Sequence, residues 1–168
     1  MDTLNFKPTF LGQCIIKYQV PLDIFTSINQ IYEQNYNNLA PANSQLVGKI
    51  EKEHSLFYHG EDQTKMKNHN FIPKNVTDYF MQVFNHYLKF NAIRDYKTHL
   101  NSIWVNEMKQ HEYNPAHIHR GMLYTGLSSV MILKLPSTYG KEYSAEHVQQ
   151  NGRLQILGAA NGQFAKID

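Results

Sequence analysis

The residues with the clearest chemical potential are two histidines, His117 and His119, which are separated by one residue. In an extended segment, side chains two positions apart point to the same side of the backbone, so the two imidazoles converge on one point. Imidazole is a suitable ligand for iron, zinc, copper and nickel. The spacing therefore predicts a metal site at these two residues. The other histidines stand in polar or helical contexts that are typical of surface or hydrogen-bonded residues: His54, His59, His69, His86, His99, His111 and His147.

A lone cation, Lys134, lies in an apolar segment downstream of the two histidines. It interrupts the run from Met131 to Leu135, and an ammonium group that is buried without a partner is energetically costly. An anionic ligand would compensate for that charge. The alternative is a lysine at the wet end of a strand, whose stem packs on apolar neighbours while its charge reaches water. The sequence leaves both interpretations open.

Length, charge and composition limit the classes of protein that fit. The chain has 168 residues, which suits one domain, and its 42% hydrophobic content argues against wholesale disorder. A formal net charge of +2 excludes a broad basic field for nucleic acid. No apolar stretch is long enough to cross a membrane, and the N-terminus does not resemble a signal peptide. The single Cys14 cannot form an internal disulfide, so we expect a cytoplasmic protein.

The elements that must position the histidines follow from hydrophobic periodicity. Apolar residues at helical spacing predict one helix from Leu22 to about Asn35 and a second beginning at an N-cap, Thr77. Alternation over 100–108 predicts a strand with Trp104 and Asn106 on the same face, just before the histidine pair. The remaining predictions are a strand over 10–18, irregular structure with at most short strands over 39–75, a strand over 127–135, and a short strand over 153–157. Helices followed by strands indicate an α+β arrangement or a β-sandwich with helices outside.

The segment around the histidines also carries a family resemblance. It contains Trp104-Val105-Asn106, then Asn114-Pro115-Ala116-His117-Ile118-His119, and ends at Lys134-Leu135-Pro136. This pattern resembles the 2-oxoglutarate and Fe(II)-dependent oxygenases of the prolyl-4-hydroxylase-like kind, in particular the small members carried by tailed bacteriophages. The earlier stretch Gly48-Lys49-Ile50-Glu51-Lys52-Glu53 is similar to that family's G-x-I-x-x-E stretch. Close matching covers about residues 44–58 and 99–136.

The resemblance implies a double-stranded β-helix, a cupin-like jelly roll, with N-terminal helices packed on the major sheet. We therefore expect a single oxygenase-like domain over 1–168, in which 1–97 form a helical and irregular support and 98–168 begin the barrel. The family holds one Fe(II) through two His and one carboxylate. His117 falls at the first ligand position, and His119 falls where relatives carry Asp or Glu. The alternative for His119 is a histidine that lines the barrel or supports a ligand.

The same resemblance implies the cosubstrates 2-oxoglutarate and O₂, and hydroxylation of a protein side chain or a small molecule. Family members bind the distal carboxylate of 2-oxoglutarate with a cation, a role that falls to Lys134 here. Asn106 and Asn114 are candidates for hydrogen bonds to cosubstrate or substrate, although Asn114 before Pro115 also suits a turn. If the gene is viral, the expected location is the cytoplasm of the host cell. The sequence does not indicate the substrate or the oligomeric state.

The resemblance departs from the family near the C-terminus. Relatives continue into strands that supply a last iron-binding His and an Arg, whereas this sequence stops at Asp168. A jelly roll takes roughly eight strands, more than the periodicity predicts here. We therefore expect an incomplete barrel, or a site completed from elsewhere. The alternatives to an enzyme are a non-catalytic jelly-roll or cupin-like module with a binding or structural role, and an inactive fragment of an oxygenase.

Overall fold

The protein folds into two compact units in this computed structural model. The first unit comprises Met1–Leu4 and Gln19–Ser128, and the second comprises Asn5–Tyr18 and Ser129–Asp168. The structure describes a set of ranges that covers most of the first unit and part of the second: residues 4–10, 14–42, 48–58, 71–115, 117, 126–139, 152–157 and 164–166.

Helix α1 of the first unit spans Leu22–Asn35 and continues into a 3-10 turn at Tyr36–Asn38. These bounds confirm the helix that the periodicity predicts. Ile24 and Ile28 are buried, as expected for one face of a helix that packs against the core. The helix therefore directs its apolar stripe inward and leaves its last turn near the sheet.

Helix α2 spans Lys74–Phe90 and packs against α1. Its N-cap is Pro73, four residues before Thr77, so the prediction that Thr77 is the N-cap is wrong. Pro73 precedes the first helical residue, and the Thr77 hydroxyl instead donates to the carbonyl oxygen of Lys74 at 2.9 Å. Val76 and Val83 on the inner face are buried. A proline suits this end of a helix, where backbone N–H groups have no partner inside the helix.

The sheet of the first unit has the antiparallel order β3–β4–β5. Strand β3 is Ala40–Pro41, β4 is Lys52–Tyr58, and β5 is Ser102–Glu107. Strand β5 confirms the alternation predicted over 100–108. Strand β4 has seven residues, more than the short strands expected between the helices. Its length was not predictable from periodicity, because a strand with polar groups on both faces shows no simple apolar alternation.

Two antiparallel hairpins belong to the second unit. Strands β1 (Phe6–Phe10) and β2 (Cys14–Tyr18) pair, so the prediction of one continuous strand over 10–18 is wrong. Strands β6 (Gln155–Leu157) and β7 (Phe164–Lys166) also pair, and β6 confirms the short strand predicted near residue 155.

Residues 126–136 form neither helix nor strand, which corrects the strand predicted over 127–135. Val130 and Ile132 expose more than half of their surface. A strand needs a neighbour for its backbone hydrogen bonds, and no described strand pairs with this segment.

The architecture of the described residues is α+β, as predicted, and their strands form no closed barrel. The jelly roll therefore stays a prediction. Neither α1 nor α2, the helices of the described ranges, has the length and apolar content needed to cross a membrane.

Candidate metal and ligand site

The loop that leads to His117 pairs with the residues that precede β4. Lys49 and Tyr113 form an antiparallel bridge in which each backbone N–H donates to the carbonyl of the other, at 2.9 and 3.0 Å. This bridge extends the pairing of β4 with β5 by a further contact beyond the strand ends. The two sequence stretches that carry the family resemblance are therefore neighbours in space.

Gly48 allows this close approach. A Cβ atom at Gly48 would lie 2.2 Å from the carbonyl oxygen of Tyr113 and 2.8 Å from Cδ of Pro115. Real Cβ contacts do not come so close, and the nearest atom is backbone. Glycine is needed here because two backbone segments meet, which is one of the uses for which glycine is selected.

Glu112 closes the turn that precedes the bridge. Its carboxylate accepts hydrogen bonds from the backbone N–H groups of Lys109 at 2.6 Å and Glu51 at 2.9 Å. These two bonds, that of Lys109 first, hold the pKa of Glu112 below its ordinary value because they favour the ionised form. His111 in the same turn has a φ of 65°, the left-handed conformation. The Glu112 carboxylate thus connects the turn to its own start at Lys109 and to Glu51, just before β4.

His117 has an exposed side chain whose ring bonds to the backbone of its own loop. Its Nδ1 lies 2.7 Å from the carbonyl oxygen of Pro115. A carbonyl oxygen only accepts, so Nδ1 carries the proton and, in the neutral ring, Nε2 carries the lone pair. Metal-binding histidines are commonly oriented in this way, with the second nitrogen bonded to a carbonyl or carboxylate. The geometry at His117 therefore fits an imidazole ligand for a metal.

The other predicted site residues lie at different places. Asn114 is half-buried in the same loop as His117, and Asn106 is exposed on β5 of the same unit. Lys134 belongs to the second unit, and His119 lies outside the described residues. Among the residues that the structure describes, no group of three His, Cys, Asp or Glu side chains is placed to hold a metal.

Lys134 is exposed, which agrees with the second of its two interpretations, a lysine whose charge reaches water. The first, a costly buried ammonium, does not hold, because the segment 126–136 is not a strand in an apolar environment. An exposed ammonium needs no compensating ligand, although it remains accessible to an anion.

A polar cluster that the sequence does not reveal joins α1 to the sheet. Tyr36 donates to a Glu107 carboxylate oxygen at 3.0 Å, and Lys52 donates to the Tyr36 hydroxyl. The Tyr32 hydroxyl lies 3.2 Å from Nδ1 of His54 and 3.4 Å from the same Glu107 oxygen. The aromatic rings also meet, with the centroids of Tyr36 and His54 5.1 Å apart. This cluster fixes α1 over one face of β4 and β5.

Burial changes the titration of two members of this cluster. It raises the pKa of Tyr32, and nearby Glu107 adds to the shift by disfavouring a second negative charge. Burial also lowers the pKa of His54, because the imidazolium is less well solvated there. His54 is a hydrogen-bonded histidine, in agreement with its expected class. The cluster is satisfied within itself, which is typical of a structural polar network.

The opposite face of the same strands carries a buried acidic residue, Glu53. Glu53 exposes only 6% of its surface, and burial raises the pKa of its carboxyl group. It faces Asn106 across the strand pair. Its place in the G-x-I-x-x-E stretch was the available signal, but nothing in the sequence showed that this carboxylate is buried.

Comparison of the chain with known proteins gives no further identification. No family model, curated protein or solved structure matches it. The evidence on function is therefore the residues themselves, the geometry of their loop and the motif resemblance.

Proposed function

We propose that the protein is a 2-oxoglutarate and Fe(II)-dependent dioxygenase that hydroxylates a protein side chain or a small molecule. The observation that carries the proposal is the orientation of the His117 ring, whose Nδ1 bonds to the Pro115 carbonyl oxygen as in many metal-binding histidines. The proposed fold is a jelly roll, in which the β3–β4–β5 sheet forms one part.

A second observation supports the family assignment. The motif stretches at 48–53 and 104–117 are distant in sequence, yet they meet through the pairing of β4 with β5 and through the Lys49–Tyr113 bridge. Residues that resemble one family's site motifs at two places are expected to lie together if the resemblance reflects a shared site. A chance resemblance would not require this adjacency.

In the proposed site, His117 binds iron through Nε2 and His119 supplies the second imidazole. Bound Fe(II), together with 2-oxoglutarate and O₂, supplies the oxidising power for hydroxylation. The Pro115 carbonyl holds the ring of His117 in one orientation and one tautomer, and Gly48 with the Glu112 turn holds the loop. Asn114, half-buried beside His117, positions cosubstrate or substrate by hydrogen bonding. The family resemblance assigns the distal carboxylate of 2-oxoglutarate to Lys134 as a cation.

The test is conversion of 2-oxoglutarate to succinate by the purified chain with Fe(II) and O₂, measured with and without candidate substrates. Even without substrate, an enzyme of this class is expected to release succinate slowly in an iron-dependent reaction. His117→Ala should abolish that release. The matched control is His99→Ala, which removes another exposed imidazole, one that lies before the start of β5.

The outcomes separate the proposal from its alternatives. Iron-dependent succinate from the wild type and from His99→Ala, but not from His117→Ala, supports the enzyme and the role of His117. Equal succinate from His117→Ala and wild type contradicts that role. No succinate from a folded chain that still binds iron favours the non-catalytic module.

A further inference from the structure

Four atoms that can each donate a lone pair to a metal converge in the polar cluster between α1 and the sheet. The Tyr32 hydroxyl oxygen lies 3.2 Å from Nδ1 of His54 and 3.4 Å from Oε2 of Glu107. The Tyr36 hydroxyl oxygen lies 3.0 Å from the same Glu107 oxygen. We call these two phenol oxygens, the carboxylate oxygen and the imidazole nitrogen the Tyr32–Tyr36 site.

The spacing of these atoms matches that of ligands around one metal ion. A metal with bonds of about 2.0–2.1 Å keeps neighbouring ligand atoms about 2.9–3.4 Å apart, from octahedral to tetrahedral geometry. The separations within the Tyr32–Tyr36 site are 3.0, 3.2 and 3.4 Å. A metal ion can therefore replace the hydroxyl protons between these atoms with small shifts of the side chains.

Helical turns and strands hold the four side chains on one face of the sheet. Tyr32 lies on α1, and Tyr36 lies four residues later in the 3-10 turn, one helical turn along the same face. His54 lies on β4 and Glu107 on β5. All four residues are half-buried, so an ion can reach them from solvent. Ligands on such elements are positioned more precisely than ligands on loops.

Lys52 is a cation at the border of the Tyr32–Tyr36 site. The strand register places it directly opposite Glu107, yet its ammonium donates to the Tyr36 hydroxyl rather than to that carboxylate. A positive charge beside the Tyr36 oxygen favours the phenolate, which is the form that binds a metal. Because Lys52 is half-buried and its stem is flexible, the ammonium can move into water when an ion enters.

The chemistry of these atoms favours a trivalent ion. Imidazole and carboxylate both bind iron, and a tyrosine oxygen is an iron ligand in some haem proteins. Burial raises the pKa of Tyr32, and the nearby Glu107 adds to the shift, so an ion of high charge is needed to displace the phenol proton. A divalent ion that leaves the phenols protonated would have two ligands here, His54 and Glu107.

We propose that the Tyr32–Tyr36 site binds Fe(III) through its two phenolates, its carboxylate and its imidazole. Binding releases the two phenol protons to solvent and leaves the oxidation state of the iron unchanged. Hydrogen bonds satisfy the same atoms without metal, so the fold does not require the ion. The site shares no residue with the proposed oxygenase iron site at His117, and the inference does not depend on that function.

The experiment is a titration of the metal-free chain with ferric nitrilotriacetate, without 2-oxoglutarate, followed by visible absorption. Charge transfer from a phenolate to bound Fe(III) gives a visible band that imidazole and carboxylate ligands do not give, so the signal reports on tyrosine ligation. Wild type should develop this band. His117→Ala, which lacks the proposed ligand of the other iron, should also develop it and saturate at one equivalent.

Two conservative substitutions remove the phenol oxygens and keep the rings. Tyr32→Phe and Tyr36→Phe should each weaken the band and reduce the affinity for Fe(III) at least about tenfold, since even a group that only orients a metal ligand contributes about that much. The double variant should give no band. Tyr58→Phe is the matched control, because Tyr58 is exposed at the end of β4, and it should titrate like wild type.

The pH dependence of the band provides a second measurement. Protons compete with the metal for the phenolates, so the affinity for Fe(III) should fall between about pH 7.5 and about pH 5.5. An affinity that does not change over this range would contradict the release of phenol protons.

Three further results would overturn the proposal: no visible band in wild type at saturating iron, a band of equal strength in the double variant, or loss of the band in His117→Ala. If the double variant does not fold, the two single variants provide the comparison. Bands of wild-type strength in both of them would then show that iron does not bind through these tyrosines.

Discussion

Gly48 lies against the carbonyl oxygen of Tyr113 at a distance that leaves no room for a side chain. A Cβ atom at Gly48 would approach that oxygen to 2.2 Å. The contact stands beside the backbone bridge between Lys49 and Tyr113, four residues before His117. The packing of one glycine therefore helps to position the loop that carries the proposed metal ligand.

Replacement of Gly48 tests this contact. Gly48→Ala should reduce the free energy of unfolding by about 1–3 kcal/mol, because the backbone must shift to admit the methyl group. Urea denaturation measures the change. Gly126→Ala is the control, since a Cβ at Gly126 meets nothing within 4 Å. Equal stability of the two variants would show that the loop accommodates the methyl group.

The hydroxyl of Tyr36 joins the end of α1 to β5 through Glu107. Tyr36→Phe removes that hydrogen bond and should lower the free energy of unfolding by about 1 kcal/mol. Tyr58→Phe is the matched control, because the Tyr58 hydroxyl, at the exposed end of β4, makes no hydrogen bond to a described residue. Chemical denaturation of both variants decides the matter, and a loss of the same size in Tyr58→Phe would contradict the role of Tyr36.

His54 predicts a dependence of stability on pH. Burial lowers the pKa of His54 in the folded protein, Glu107 opposes this shift and Lys52 adds to it, so near the ordinary value of about 6.5 the unfolded chain binds a proton that the folded chain does not. The contribution of His54 to the free energy of unfolding is therefore lost as the pH falls from about 7.5 to about 5.5. His54→Gln should reduce that loss, and His99→Ala should not. An identical loss in wild type and His54→Gln would contradict the assignment.

Much of the first unit follows from local sequence patterns. The stripe that includes Ile24 and Ile28 predicts α1, and the alternation around Trp104 and Asn106 predicts β5. Both elements have one face turned toward the core, and the periodicity of apolar residues in a sequence indicates such one-sided elements. The reversal between β1 and β2 was missed, although Gly12 between the paired residues Phe10 and Cys14 is a hairpin signal.

The site was less predictable, because it depends on burial and on contacts between distant segments. The sequence does not indicate that Glu53 is buried, and only the register of β4 with β5 places it opposite Asn106. For Lys134 the sequence leaves a buried and a solvated charge open, and the structure shows an exposed side chain in a segment that pairs with no described strand. The His117 motif was visible in the sequence, whereas the carbonyl of Pro115 that orients its ring was not.

Lys134 remains the proposed cation for the cosubstrate. Lys134→Ala should raise the KM for 2-oxoglutarate about tenfold or more with a smaller effect on kcat, because a charge-assisted contact to the distal carboxylate is lost. Lys97→Ala removes an exposed lysine of the first unit and serves as the control. Succinate release at varied 2-oxoglutarate concentrations measures both constants. An unchanged KM in Lys134→Ala would assign Lys134 to the solvated surface.

The role of His117 as a metal ligand is tested most directly by anaerobic titration of the protein with Fe(II), followed by calorimetry. We expect wild type and His99→Ala to bind one equivalent of iron, and His117→Ala to bind it at least about tenfold more weakly, because a ligand whose ring is oriented by the Pro115 carbonyl has been removed. Equal Fe(II) affinity of His117→Ala and wild type would contradict the account.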